Sequence, residues 1–324
     1  MNVILPPAPS INLSYFLKWK RIPKLHVCIV ACLFISYVST AQTRYYVNQA
    51  VATSGDGKSW SAAFKTLSEA IKFASSSIAD EIWVAKGTYY PNTNPYGTRY
   101  DPPSYSKNMT FYLKKPIKIY GGFIGSETTL TQRSWQANET ILSGNINNPA
   151  DSTDNVYHVL LIAGTQASSL GNVTVDGFTI SDGYANVITD LTVDGNVVYA
   201  YNGGGIYNIY ASPELKNLKI MRNVGFVGGG IHNKNSSPLI DNCQVLQNYS
   251  GSSGAGIYNL SSSPLIQNTL IADNYVNNIG GGGIDNASSN TTVKNSTIRN
   301  NRASKGGGIY SDGGNVHLEN VIIK

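Results

Sequence analysis

Cysteine, methionine and charge are all scarce in this chain of 324 residues, which has three Cys, three Met and only 13% Asp, Glu, Lys and Arg. Cys28 and Cys32 fall in an amino-terminal targeting segment, so Cys243 is left without an intrachain partner and a disulfide framework is excluded. Ala/Glu/Lys/Leu periodicity is almost absent, which argues against an α-solenoid. There is no basic stripe of the kind that tracks a nucleic-acid backbone.

The only marked cluster of cations precedes an apolar stretch. Lys18, Lys20, Arg21 and Lys24 lead into Leu25 to Val38, followed by the small residues Ser39-Thr40-Ala41. Fourteen residues are too few to span a bilayer comfortably, and the order of features is that of an export signal over residues 1–41, cut between Ala41 and Gln42. Ile29-Val30-Ala31-Cys32 has the look of a lipoprotein box, but the apolar run continues past Cys32. Removal of the signal lowers the formal charge from +5 to about +1, so the basic character belongs to targeting.

What the chain has in quantity is glycine beside isoleucine. Gly203-Gly204-Gly205-Ile206, Gly228-Gly229-Gly230-Ile231, Gly254-Ala255-Gly256-Ile257, Gly281-Gly282-Gly283-Ile284 and Gly306-Gly307-Gly308-Ile309 follow one another at steps of 25, 26, 27 and 25 residues. Self-similarity at this period marks a stacked repeat. Twelve residues after the first glycine of each run stand Leu215, Ile240, Ile266, Val293 and Leu318; seventeen after it stand Ile220, Val245, Ile271, Ile298 and Ile323. These are predicted core positions. Asparagine recurs fourteen residues on, as Asn217, Asn242, Asn268, Asn295 and Asn320, with further series at five (Asn208, Asn233, Asn259, Asn286) and twenty (Asn223, Asn248, Asn274, Asn301).

Short aliphatic runs near period two, separated by Asn, Gly and Ser, predict short strands joined by tight turns, each unit being one coil of a parallel β-helix. Successive coils then lie about 4.8 Å apart, and equivalent side chains stack. Asn columns at the turns satisfy backbone groups and bond one another, while glycine supplies the positive φ that turns need. All variation in repeat length falls in one turn per coil, and Tyr184 to Asn202 occupies that place ahead of the first glycine run. Insertions on one face suit either a binding face or a merely exposed turn. Since Tyr184 to Asn202 lies outside the register, deletion of Val187 to Asn196 is expected to leave the stack cooperative.

Upstream, Arg44-Tyr45-Tyr46-Val47 and Glu81-Ile82-Trp83-Val84-Ala85 read as strands. Thr66-Leu67-Ser68-Glu69 is a capping box opening a short helix that covers the open end of the stack. The expected organisation is a signal at 1–41, an amino-terminal cap and first coils at 42–150, and glycine-led coils at 151–324.

Trp83-Val84-Ala85-Lys86-Gly87-Thr88-Tyr89, Tyr120-Gly121-Gly122-Phe123, Arg133, Thr140 to Ile146, Tyr157-His158-Val159 and Val175-Asp176-Gly177-Phe178 resemble the first coils of secreted β-helix proteins of the pectin-lyase-like superfamily. The resemblance covers most of residues 44–324. It implies an all-β, right-handed, single-stranded parallel β-helix on the surface of, or released by, a Gram-negative bacterium. The glycine-isoleucine units also resemble the repeat of polymorphic outer membrane proteins, Gly-Gly-Ala-Ile followed by Phe-x-x-Asn. Here Gly mostly replaces Ala, and Ile220 to Asn223 and its equivalents carry an aliphatic for Phe. The last coil stops at Val321-Ile322-Ile323-Lys324 on an aliphatic strand. The pattern predicts either the amino-terminal portion of a longer protein or a truncated gene product; a continuation would hold further coils and, by resemblance, a carboxy-terminal region engaging secretion or anchoring machinery.

That superfamily includes polysaccharide lyases and hydrolases, but their signatures are missing. There is no Gly-His-Gly, no Arg-x-Lys element and no clustered aspartates, and Asp241, Asp273, Asp285, Asp312, Glu214 and Glu319 are read as sharing no column. Gly280 to Asp285 matches the start of a calcium-binding nonapeptide once, and one copy builds no calcium site; no cofactor is expected. Cys243 reads as a small buried filler. Four residues into each coil stand Tyr207, His232, Tyr258, Asp285 and Tyr310, expected to point outward beside the variable turn. This column either stacks on sugar rings or merely stacks on itself. The expected role is a secreted structural or adhesive β-helix that binds glycans or partner surfaces without chemistry; the alternative is a carbohydrate-active enzyme acting from the variable face.

Overall fold

The computed structural model describes residues 43–74, 80–99 and 106–324. The predicted signal and its cleavage point lie outside the described residues. From Gln42 onward the chain is one compact unit.

Each glycine-led coil contributes one strand to each of three faces, and the first three of these coils add a strand to a fourth. In the first coil these are Ile206–Ile209, Glu214–Lys216, Lys219–Met221 and Val224–Val227. Stacking joins them into parallel sheets of seven, nine, eight and four strands. We call the sheet containing Glu214–Lys216 the first, that of Lys219–Met221 the second, that of Ile206–Ile209 the third and that of Val224–Val227 the fourth. The first sheet begins with Arg44–Val47, Glu81–Ala85 and Lys118–Phe123 and continues through every later coil, so it has no break near residue 150.

Register follows the predicted columns. Ile206, Ile231, Ile257, Ile284 and Ile309 pair in sequence, as do Leu215, Ile240, Ile266, Val293 and Leu318. Ile220, Val245, Ile271, Ile298 and Ile323 form the third inward column. All but the last-coil members are wholly buried in one continuous core. At the other end, the helix Leu67–Phe73 carries the predicted capping box and puts Leu67, Ala70 and Ala74 onto that core.

The corners are left-handed, but glycine is not the residue that makes most of them. Asn217, Asn242, Asn268, Asn295 and Asn320 have φ between 47° and 53°, in the corner that Gly177 occupies one coil earlier with φ 82°. Asparagine tolerates this conformation because its short side chain bonds locally. A second left-handed corner is taken by Asp182, Arg222, Gln247, Asp273 and Asn300. Within the first three glycine runs only the leading residue is left-handed, at Gly203, Gly228 and Gly254. The third glycine serves proximity instead: a Cβ on Gly205 would lie 2.6 Å from the Gly230 carbonyl and 2.8 Å from Asn223 Nδ2. The glycine run and the asparagine twenty residues later are therefore two halves of one device.

The asparagine series separate into three kinds. Asn223, Asn248, Asn274 and Asn301 are linked amide to amide at 2.8–3.1 Å, and each of the first three also receives or makes main-chain bonds. The series at Asn208, Asn233, Asn259 and Asn286 stands within strands, facing the core two residues after the inward isoleucine, rather than at a turn. Its members are wholly buried and linked at 2.8 Å. The predicted ladder at Asn217 to Asn320 is the exposed one. Asn242 bonds Asn217 at 2.6 Å and Asn320 bonds Asn295 at 3.0 Å, while Asn268 donates to Asp241.

Residues 184–202 do not form a passive loop. Asp190–Val193 and Asn196–Tyr199 pair as an antiparallel hairpin. Asp194 and Gly195 at its tip both have positive φ, 46° and 80°, the turn whose twist matches a hairpin. Leu191, Val193, Val198 and Ala200 pack on Leu161, Ala163, Tyr207 and Ile209, covering the outer side of the third sheet. Deletion of Val187 to Asn196 therefore strips this cover. It is expected to lower stability by about 2–4 kcal/mol through the exposed Leu161, Tyr207 and Ile209 while leaving the coils cooperative. Denaturant midpoints of the two chains check this; equal midpoints would mean that the hairpin is not docked.

Candidate functional site

The column of Tyr207, His232, Tyr258, Asp285 and Tyr310 does leave the core, yet it is not the ligand-facing surface expected from the sequence. Tyr207, His232 and Asp285 are 0%, 1% and 3% exposed, and Tyr258 and Tyr310 are half-buried. The physical reason at the head of the column is the hairpin. The rings stack under cover, Tyr207 on His232 at 4.7 Å and 18°, and His232 on Tyr258 at 5.2 Å and 24°. Asp285 turns back to accept from the Gly281 amide at 2.8 Å, and burial raises its carboxyl above the usual range.

The acidic residues also fall differently. Asp241 and Glu319 do share a column, on the outside of the first sheet, where Asp176, Lys216, Asp241, Gln267, Lys294 and Glu319 are successive neighbours. Both lie thirteen residues after their glycine runs. Lys216 separates Asp176 from Asp241, and Lys294 pairs with Glu319 at 2.7 Å. The column alternates in charge and brings no two carboxylates into adjacent coils. Cys243 is buried, 2% exposed, and burial pushes its thiol up to about 12, which suits a filler.

A groove that the repeat pattern did not announce lies where the first and second sheets meet. Its floor is the left-handed corner with Asn217, Asn242 and Asn268, and the outward residues Lys219, Gln244 and Leu270 of the second sheet; its head wall is Trp135, Gln136 and Glu139. The volume is about 430 Å³.

The wall is held firmly. Arg133 makes a 2.6 Å ion pair with Asp176, both side chains about one-tenth exposed, and donates to the carbonyls of Gly121 and Asp176. The Ser134 amide bonds Gly122 at 2.9 Å. A Cβ on Gly122 would sit 2.6 Å from Trp135 Cα, and one on Gly177 would meet the Arg133 guanidinium. These two glycines let the loop settle on the coils and leave Trp135 half-exposed over the groove.

Every carboxylate around the groove is engaged. Glu139 accepts from Thr179 Oγ1 at 2.8 Å. Asp176 holds Arg133 and also accepts from Asn217 Nδ2 at 2.6 Å. Asp241 accepts from Asn268 Nδ2 at 2.8 Å. Amides, one lysine and one indole are what the groove offers. Among the described residues no group of three or more His, Cys, Asp or Glu is placed to hold a metal ion.

Parallel single strands stacked coil on coil around one core, with inward aliphatic and amide columns, define a β-helix solenoid. The chain belongs to the right-handed β-helix family, whose model, described as "Right handed beta helix region", matches residues 158–323, more than half of the chain. Comparison with curated protein sequences gives no match. Solved structures similar to it include the pectin methylesterase from Aspergillus niger in deglycosylated form, at 13% identity and TM-score 0.44, covering 88% of this chain and 87% of that one. Pectate lyase Pel9A is similar at 14% identity and TM-score 0.46, covering 81% of this chain and 64% of that one. Pectin methylesterase PemA from Erwinia chrysanthemi is similar at 12% identity and TM-score 0.39, covering 82% and 81%. The assignment of the fold here rests on the family match and the strand pairing.

Proposed function

We propose that this chain is an exported, surface-located β-helix that binds an extended glycan along the groove beneath Trp135 without altering it. The observation that carries this reading is the groove's make-up: a half-exposed indole at its head, then a row of Asn amides repeated coil by coil along the axis and flanked by Lys219 and Gln244. An aromatic face takes the apolar side of a sugar ring, and amides both donate and accept toward hydroxyls. Repetition at the coil spacing of about 4.8 Å offers the same contacts to successive units of a chain, which favours a polymer over a single sugar. Engagement of Glu139, Asp176 and Asp241 by hydrogen-bond or ionic partners supports binding rather than acid–base cleavage, since a working pair needs carboxyls free to exchange protons. Export is supported by the residues at 18–41, and location on a Gram-negative surface by the resemblance of the glycine-led units.

The test is retention on a glycan array followed by titration of a retained polysaccharide. Trp135→Ala is expected to weaken binding about tenfold, the loss of one central aromatic contact, with an unchanged thermal midpoint. Unchanged affinity in this variant would remove the groove from the account.

A further inference from the structure

Two histidines, His232 in the stacked column and His158 beside its head, stand in an unusual setting. His232 is 1% exposed and neither ring nitrogen has a hydrogen-bond partner. His158, 2% exposed, meets the Gly203 carbonyl through Nδ1 at 3.1 Å, leaves Nε2 unpartnered, and sets its ring against Tyr207 at 5.3 Å. Neutral imidazole is tolerated there because stacking on Tyr207 and Tyr258 replaces hydration of the ring faces. Imidazolium is not, because no carboxylate reaches it. The groups facing His232 are Tyr207 and Tyr258 on the adjoining strands, His158, and Lys234 on its own strand, whose charge repels a second cation. Asp285 lies one coil beyond Tyr258 and is held by the Gly281 amide. On the hairpin, the field of Asp190 reaches Lys234 and Tyr207, and Lys234 Nζ lies 4.5 Å from the centre of the Tyr199 ring.

The cover over this column is attached to the coils through side-chain contacts. The hairpin forms a two-stranded sheet of its own, paired with no coil strand. It is docked through Leu191, Val193, Val198 and Ala200, an Asn196–Gly164 bond of 2.8 Å, and exposed contacts of Asp194 with Tyr112 and Lys114. Side-chain docking without a hydrogen-bonded ladder opens locally at less cost than the coils.

We propose that the hairpin Asp190–Tyr199 is an acid-released cover: protonation of His158 and His232 favours its undocking from the third sheet and presents the Tyr207–His232–Tyr258 column to solvent. The sign follows from linkage. Burial lowers His232 to about 3 and His158 to about 4 in the docked form, whereas a freed imidazole titrates near about 6.5. The docked form therefore binds fewer protons, so docking is at full strength above about pH 6.5 and is lost progressively below it. At pH 5 each histidine freed by opening raises the undocked population about 30-fold.

The test is hydrogen exchange on the folded chain at pH 7.5 and pH 5, corrected for intrinsic rates and read in peptides of 187–203 against peptides of the inner coils. The expected result is a loss of protection in the hairpin at pH 5 on the order of 1,000-fold, the product of the two histidines' effects, with the coils unchanged. His232→Phe, which keeps a ring between Tyr207 and Tyr258, and His158→Phe are each expected to remove about 30-fold of that effect. Three results overturn the proposal: equal hairpin protection at both pH values, loss shared uniformly by all coils, or full acid sensitivity retained in the double Phe variant. The first two need only the unaltered chain, so a variant that fails to fold does not shelter the idea.

Discussion

Asn248→Leu is expected to lower the stability of the coil stack by about 3–5 kcal/mol, although leucine matches asparagine in size and the site is already closed to water. Asn248 is 1% exposed. Its Oδ1 accepts from both the main-chain and side-chain nitrogens of Asn223 at 3.1 Å, and its Nδ2 donates to the Ile220 carbonyl and to Asn274 Oδ1, each at 3.0 Å. Leucine removes these partners at once: the buried Asn223 N–H loses its acceptor and the Ile220 carbonyl loses the amide donor that it has besides its place in the sheet. The same change at Asn242, exposed, joined to Asn217 by one 2.6 Å bond and left-handed with φ 53°, is expected to cost only about 1–2 kcal/mol, mostly the strain of leucine in that conformation. Denaturant melts of the two variants decide the matter, and similar losses would show that the interior ladder is no more than filler.

Ile266→Asp is expected to be the most damaging single substitution, several kcal/mol or outright failure to fold. Ile266 is wholly buried between Ile240 and Val293 in adjoining coils. An aspartate there has no cation to meet, so it must either ionise in an apolar stack or hold a proton far above its usual range. Gln267→Asp, one residue on, points out of the first sheet beside Asp241 and Lys294 and is expected to shift stability by only about 0.5 kcal/mol. Equal losses in thermal midpoint would reverse the inward and outward assignment of the whole sheet.

The coil register was legible because it is written five times. Columns such as Leu215 to Leu318 need no knowledge of any loop. The capping box at Thr66 and Glu69 was equally local. Errors arose where a column's identity was clear but its surroundings were not. Asparagine columns point to turns because asparagine favours them, yet the spacing of Asn208 and its equivalents, two from the inward Ile206, sets them on the core face of a strand. Tyr207 and His232 point out of the core, as their spacing predicts, but are closed to water. The cover comes from the hairpin, whose Asp194-Gly195 turn between Leu191/Val193 and Val198/Ala200 is a legible signal by turn chemistry and alternation. Asp241 and Glu319 share an offset that counting from the glycine runs reveals.

Trp135 is a different case. Its position depends on a loop landing on Gly122 and Gly177, tied by Arg133 to Asp176 more than forty residues away. No periodic pattern carries that information, because the contact is made once. The same holds for any site built where a single excursion meets a repeating surface.

The central claim is that the groove beneath Trp135 holds a glycan and leaves it intact. The most direct measurement is prolonged incubation of the folded chain with each polysaccharide it retains, reading bound fraction, chain length and new chain ends together. The account predicts saturable retention that falls about tenfold in Trp135→Ala, with chain length and end count unchanged. Shortened chains or new ends that disappear in a variant of Glu139, Asp176 or Asp241 would contradict it and make the groove a catalytic one.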